Sequence, residues 1–229
     1  MHSTNHENDA KQVISVLDKL IASDESIIGV CNKCKDLAAR CGNPSKLEKR
    51  TAQLIVMHYS NLCAAGGGAS ALPGMIPAVG SVLSIFGAGA MDALLALKFE
   101  LEMTLALSHL GGFDISDPRE RKLAFLLACA SLEEVYDAEH EPSLLALVDI
   151  AVGEYSTREL SKTMIKTLAR VIMLLTAKRW TRFFPVVGIA IGASVNKVMS
   201  TYMGHECWRA IRHRRDLLTK SASPESESV

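Results

Sequence analysis

Apolar residues recur at three- and four-residue intervals along almost the whole chain, while the strict alternation of a half-buried strand is absent and β-branched runs bounded by turns are few. The pattern predicts helices over 10–22, 26–41, 45–65, 77–110, 118–137, 143–152, 157–180 and 186–217. It describes an all-α chain, a single multi-helix bundle with Gly/Ala-rich central helices.

The punctuation between these segments agrees. "GNPS", Gly42 to Ser45, ends one helix and opens the next, and Gly111 with Gly112 closes the longest. "SDPRE" reads as a helix start: Asp117 caps, Pro118 takes the first position where no amide partner is needed, and Glu120 completes a capping box. The polar residues 1–9 and the Ser/Glu/Pro-rich 219–229 have the composition of disordered ends around one helical domain, 10–218.

Composition sharpens the picture in three ways. Aromatic residues are only 5% of the chain although mean hydropathy is +0.17, so small aliphatic residues make up most of its apolar share. The zero net charge hides an asymmetry: residues 92–160 hold fourteen Asp/Glu against five Lys/Arg, and 161–215 hold eleven Lys/Arg against Glu206 alone. Either the two blocks pack together or the basic one faces an anionic partner. The polar start lacks the basic and apolar regions of a secretory signal, which points to the cytoplasm, where six cysteines act as small hydrophobes rather than bridges.

The segment from Cys63 to Leu95, "CAAGGGASALPGMIPAVGSVLSIFGAGAMDALL", admits three readings. Gly66-x-Gly68-x-x-Ala71 imitates a dinucleotide fingerprint, but helical spacing precedes it where a strand is required, and Pro73, Gly74 and Pro77 interrupt the helix that should come after it. No formal charge occurs from Thr51 to Met91, yet the nine Leu/Ile/Val/Phe of 75–97 contribute only about 0.3–0.6 kcal/mol each to insertion, and Asp92 cancels up to about 3. Close helix packing fits best. Gly80, Ser84, Ala88, Asp92 and Ala96 stand every four residues, a ridge with little bulk.

A second ridge repeats the pattern. "PVVGIAIGASVN", Pro185 to Asn196, aligns with "PAVGSVLSIFGAGAMD", and Gly188, Gly192 and Asn196 again stand every fourth residue. The two ridges are expected to seat against each other, with Asp92 and Asn196 as a buried polar pair, since a carboxyl inside an apolar helix requires a hydrogen-bond partner.

These blocks, with "LALSHLGGFDISDPRERKLAFLL" between them and "FFPVVGIAIGASVNKVMSTYMGHECWRAIRHR" at the end, resemble the EcsC family over about residues 60–215. The resemblance implies an α-helical bacterial protein peripheral to membranes or membrane transporters, with no established chemistry. The family pattern falls on Gly68, Pro73, Gly74, Asp92, Asp117, Pro118, Glu120, Arg121, Pro185, Gly188, Gly192 and Asn196. It departs at Gly111, where the family tends to have Tyr.

Catalytic and metal-binding constellations are not assembled by the sequence. Cys31-x-x-Cys34 with Cys41 lacks a second pair and a nearby histidine, and at about 100° per residue the three thiols share one sector with Ile27 and Leu37 or Ala38, as core residues do. His205-Glu206 lacks a zincin's second histidine, His140 belongs to a charge-rich helix end, and His58 and His109 read as hydrogen-bonded structural residues within apolar helices. No nucleophile, base and oxyanion stabiliser converge, and no cofactor or metal is expected. The basic "RAIRHRR" complements a helix C-terminus.

"AKRWTRFF" is the strongest surface motif. Lys178, Arg179 and Arg182 interleave with Trp180, Phe183 and Phe184, cations for anionic headgroups and rings for the interface; the alternative tucks the rings inward while the cations meet the acidic block. Zero net charge and few aromatics argue against nucleic acid. The expected function is a non-catalytic module peripheral to the inner face of the cell membrane, partnered by anionic lipid or a membrane protein. Two alternatives stand beside it: an apolar-ligand or lipid-handling protein or enzyme with a cavity between the small-residue helices and Asp92 at its polar end, and an integral membrane protein with two Pro/Gly-interrupted helices.

Overall fold

The computed structural model describes residues 3–40, 43–66, 90–136, 157–176 and 189–221. Among the described residues the chain forms seven α-helices and one 3-10 turn, and no strand. In chain order these are α1 (Ser3–Leu20), α2 (Asp24–Arg40), the 3-10 turn Pro44–Lys46, α3 (Leu47–Gly66), α4 (Ala90–Leu110), α5 (Pro118–Tyr136), α6 (Thr157–Thr176) and α7 (Ile189–Ser221). The all-α bundle expected from periodicity is the observed fold. The expected helix 143–152 and the parts of 77–110, 157–180 and 186–217 beyond these bounds lie outside the described residues.

Local chemistry accounts for the boundaries. Asn43 accepts the Ser45 amide at 3.1 Å with Pro44 at the first position of the turn, so the "GNPS" segment starts the next helical stretch as expected. At the end of α4, Gly112 adopts φ 93°, Phe113 N–H donates to Ser108 O at 3.0 Å and Gly112 N–H to His109 O at 3.0 Å, the paired bonds of a Schellman cap that needs a left-handed residue. Asp117 caps α5 through the Arg119 amide at 2.8 Å.

Two expectations are corrected. The first helix begins at Ser3, inside the stretch whose composition reads as disordered. Once Ala10, Val13 and Leu17 anchor its inner face, each further turn toward the N-terminus gains hydrogen bonds without a new nucleus. Glu120 also does not reach back to close a capping box; both of its oxygens accept from Arg214 of α7. A partly buried guanidinium is a stronger partner for a carboxylate than the orphan amide of one helix end.

The core centres on α4. From Glu100 to Ser108 every residue is buried, and the helix touches α1, α2, α3, α5 and α7, so a segment apolar on nearly all sides finds neighbours on nearly all sides. Ile27, Cys31, Cys34 and Ala38 of α2 are buried together, which places the first two thiols where the one-sector reading puts them; Cys41 lies outside the described residues.

Contacts along three helices fix their directions. Glu100, Thr104, Gly111 and Phe113 face Ser200, Cys207, Ile211 and Arg214 in that order, so α4 and α7 run parallel. Cys63, Ser60 and Glu48 meet Ser200, Thr201 and Arg215, so α3 runs antiparallel to α7. The C-terminal end of α3 and the N-terminal ends of α4 and α7 therefore form one pole. Where the three helices cross, a Cβ on Gly204 would lie 2.8 Å from both Met103 Sδ and Val56 Cγ2, so only glycine lets α7 seat there.

Candidate functional site

The stripe that passes Asp92 and Ala96 continues down α4, at the same four-residue interval, to Glu100, Thr104 and Ser108. The stripe of Gly192 and Asn196 continues down α7 to Ser200 and Gly204. These continuations meet Cys63 of α3 in a buried polar junction. Glu100 is 3% exposed, and the Cys63 thiol donates to its Oε1 at 3.7 Å. The Ser200 hydroxyl faces both the Cys63 sulfur, 3.6 Å away, and the Glu100 carboxyl.

Below this group Thr104 Oγ1 donates to the Glu100 carbonyl at 2.8 Å and lies 3.6 Å from Cys207 Sγ, whose thiol donates to Leu127 O of α5 at 3.8 Å. Polar contacts thus run through the apolar interior from α3 across α4 and α7 to α5. Glu100 Oε2 is buried with no hydrogen-bond partner.

Burial pushes the Glu100 carboxyl up to about 8, against the lowering pull of Ser200 and Cys63. At neutral pH it is predominantly protonated, and it can donate one hydrogen bond as well as accept. Burial also pushes the Cys63 thiol up, and the neighbouring Glu100 adds to the rise, so the sulfur stays a thiol and a poor nucleophile. Such a site does not supply a thiolate. Among the described residues no group of three His, Cys, Asp or Glu is placed to hold a metal ion.

Many of the residues singled out in the sequence are not among those described. Gly80, Ser84, Ala88 and Gly188, and the whole of Lys178, Arg179, Trp180, Arg182, Phe183 and Phe184, lie outside the described residues, as do Gly68, Pro73, Gly74, Pro185 and His140. Asp92 belongs to α4, and Gly192 and Asn196 to α7, but their side chains are not among those described. Their helices nonetheless run parallel and in contact, two turns above Glu100 for Asp92 and one turn above Ser200 for Asn196.

The "DPRER" link is a structural tie. Asp114 accepts the Ser116 amide at 3.0 Å and its hydroxyl at 2.7 Å, which holds the exposed carboxyl below its usual range. Arg121 pairs with Asp24 at the start of α2. Arg214 donates to Glu120 at 2.5 and 2.6 Å and lies over the Phe113 ring, 4.1 Å from its centroid. This joins the acidic block to the basic one. It also corrects the helix-end reading of "RAIRHRR", since Arg214 and Arg215 pair across the bundle with Glu120 and Glu48.

His58 is corrected too: it is exposed and meets the Tyr59 ring edge-on at 5.1 Å instead of hydrogen bonding inside the helix. His109 stays half-buried beside the α4 cap. At Gly111 a Cβ would meet Ile211 Cγ2 at 2.7 Å, so the position that departs from the EcsC pattern is where α7 presses on the α4 terminus.

Compared with known proteins, the chain matches no family model, no curated protein and no solved structure. No helix among the described residues is long and apolar enough to cross a membrane.

Proposed function

We propose that the chain is a non-catalytic helical module, related to the EcsC family, that associates peripherally with the cytoplasmic face of a membrane or with a transporter embedded in it. The segment Lys178 to Phe184 is its contact with anionic lipid. One observation carries this reading. In the chain the charge-free stretch 67–89 joins Gly66 of α3 to Ala90 of α4 and the aromatic-basic stretch precedes Ile189 of α7, and these three helix ends form one pole. An apolar segment and a cationic aromatic segment joined in the chain to one end of a helical bundle supply the two attractions that interfacial binding combines.

Flotation with vesicles tests it. The full chain is expected to float with phosphatidylcholine vesicles containing phosphatidylglycerol and not with phosphatidylcholine alone, and to be released by about 0.5 M salt. Combining Trp180→Ala, Phe183→Ala and Phe184→Ala removes most of the binding. Unchanged flotation of that variant rejects the anchor.

The Glu100 junction favours a second reading, an apolar-ligand or lipid-handling protein. An unpartnered carboxyl oxygen on a residue 3% exposed, beside the Cys63–Gly66 end of α3, offers a hydrogen bond to the polar end of a ligand entering from the pole. The polar end of the cavity is then Glu100 in addition to Asp92. Lipid co-purifying with the wild type and absent from Glu100→Ala distinguishes this reading from the first.

A further inference from the structure

The corner between α2 and α3 carries a surface that neither reading uses. Leu37 and Ala38 of α2 face Arg50, Gln53, Leu54 and Met57 of α3 across a groove of about 380 Å³. Leu37 is 52% and Met57 51% exposed, two of the four large apolar side chains left in solvent among the described residues.

The rim of this groove is basic. Lys33 and Arg40 stand four residues before and three after Leu37, hence on its face of α2, and Arg50 stands two turns before Met57 on α3. From 33 to 50 the chain holds six Lys/Arg against two Asp/Glu, and one of those two, Glu48, is engaged by Arg215.

We propose that this groove docks an acidic amphipathic helix of a partner protein, whose apolar side chains at three- and four-residue spacing enter between Leu37 and Met57 while its Asp and Glu meet Lys33 and Arg40. Three features select that occupant. The apolar surface is recessed between two helices, which suits a ridge of side chains better than the flat face of a bilayer. Two like rims repel, which disfavours a second copy of this chain in a symmetric contact. Nucleic acid would leave Leu37 and Met57 without apolar partners in the middle of the contact. The proposal does not depend on the membrane reading.

Two fluorescein-labelled helical peptides of about 18 residues, one with a Leu face and Glu elsewhere, the other with Lys replacing every Glu, probe it by anisotropy. The acidic peptide is expected to bind the full chain at least about tenfold more tightly than its basic twin. Leu37→Asp and Met57→Asp each weaken it about tenfold or more, and Lys33→Glu with Arg40→Glu reverses the preference between the twins. All four substitutions are at exposed positions, so circular dichroism is expected to stay unchanged. The Trp180/Phe183/Phe184 triple variant binds the acidic peptide like the wild type, which separates this surface from the lipid anchor. Equal binding of both twins, absent binding of the acidic one, or Leu37→Asp abolishing flotation with anionic vesicles while sparing peptide binding overturns the proposal.

Discussion

Two carboxyl groups are hidden along α7, and they are hidden differently. At the Gly112 end, Glu120 has both oxygens held by Arg214, which in turn covers the Phe113 ring. Nearer the pole, Glu100 is more deeply buried, and its hydrogen-bonding neighbours are a thiol and a hydroxyl. The first group has a bidentate cation in place of lost hydration. The second gives its charge up, because holding it without a cation costs more than binding a proton. One end of the bundle is therefore an ionic clasp and the other a neutral, polar junction. Each holds one buried polar atom without a hydrogen-bond partner, an acceptor in the junction, Glu100 Oε2, and a donor in the clasp, Arg214 Nε.

The largest expected effect is on pH dependence at Glu100. Its folded value of about 8 lies above the ordinary 4.5, so the folded state binds the proton more tightly than the unfolded chain. The resulting stability is complete below about pH 4.5 and is lost as pH rises toward 8, at a slope approaching about 1.4 kcal/mol per pH unit. Denaturant titrations across that window are expected to show this decline in the wild type relative to Glu100→Gln, an excess of about 4 kcal/mol over the whole range. Parallel pH profiles for the two proteins contradict the neutral junction.

The clasp answers to a different change. Arg214→Ala leaves Glu120 partly buried and unpaired, and is expected to cost about 3 kcal/mol at neutral pH. Replacing the pair together, Glu120→Leu with Arg214→Met, recovers most of that loss, because neither charge then has to be desolvated. If the double replacement is as unstable as the single one, packing against Phe113 rather than pairing sets the value of Arg214.

The clasp and the junction were not equally legible in the sequence. Features that depend on neighbours within a few residues read directly: the "GNPS" segment as the start of a helical stretch, Asp117 as a cap, the Gly111–Gly112 pair as the end of α4, Cys31 and Cys34 as one buried sector with Ile27. The partner of Glu120 does not, because Arg214 lies 94 residues away and a local capping box is equally consistent with the spacing. Glu100 is hidden in another way. It stands between Lys98 and Glu102, which reads as a solvated face, whereas Asp92 stands out at the end of a charge-free run. The signal is nevertheless present: the four-residue stripe through Asp92 and Ala96 runs on to Glu100, Thr104 and Ser108, and the stripe through Gly192 and Asn196 runs on to Ser200 and Gly204. Lys98 resolves the ambiguity only in three dimensions, where it turns to Glu102 at 2.7 Å and leaves Glu100 without a cation.

The smallest effect separates cap from clasp at the start of α5. Asp117 receives the Arg119 amide, and Glu120 is turned away toward α7. Asp117→Ala is therefore expected to cost about 1 kcal/mol, the ordinary value of a lost cap. In a capping box the two side chains act reciprocally, so removing one would change the cost of removing the other. Here they serve different partners, and the effects of Asp117→Ala and Arg214→Ala are expected to add within about 0.5 kcal/mol in a double-mutant cycle. A coupling above about 1 kcal/mol would mean that Glu120 turns back to the helix end once Arg214 is gone, and that the clasp holds its carboxylate only in competition with the cap.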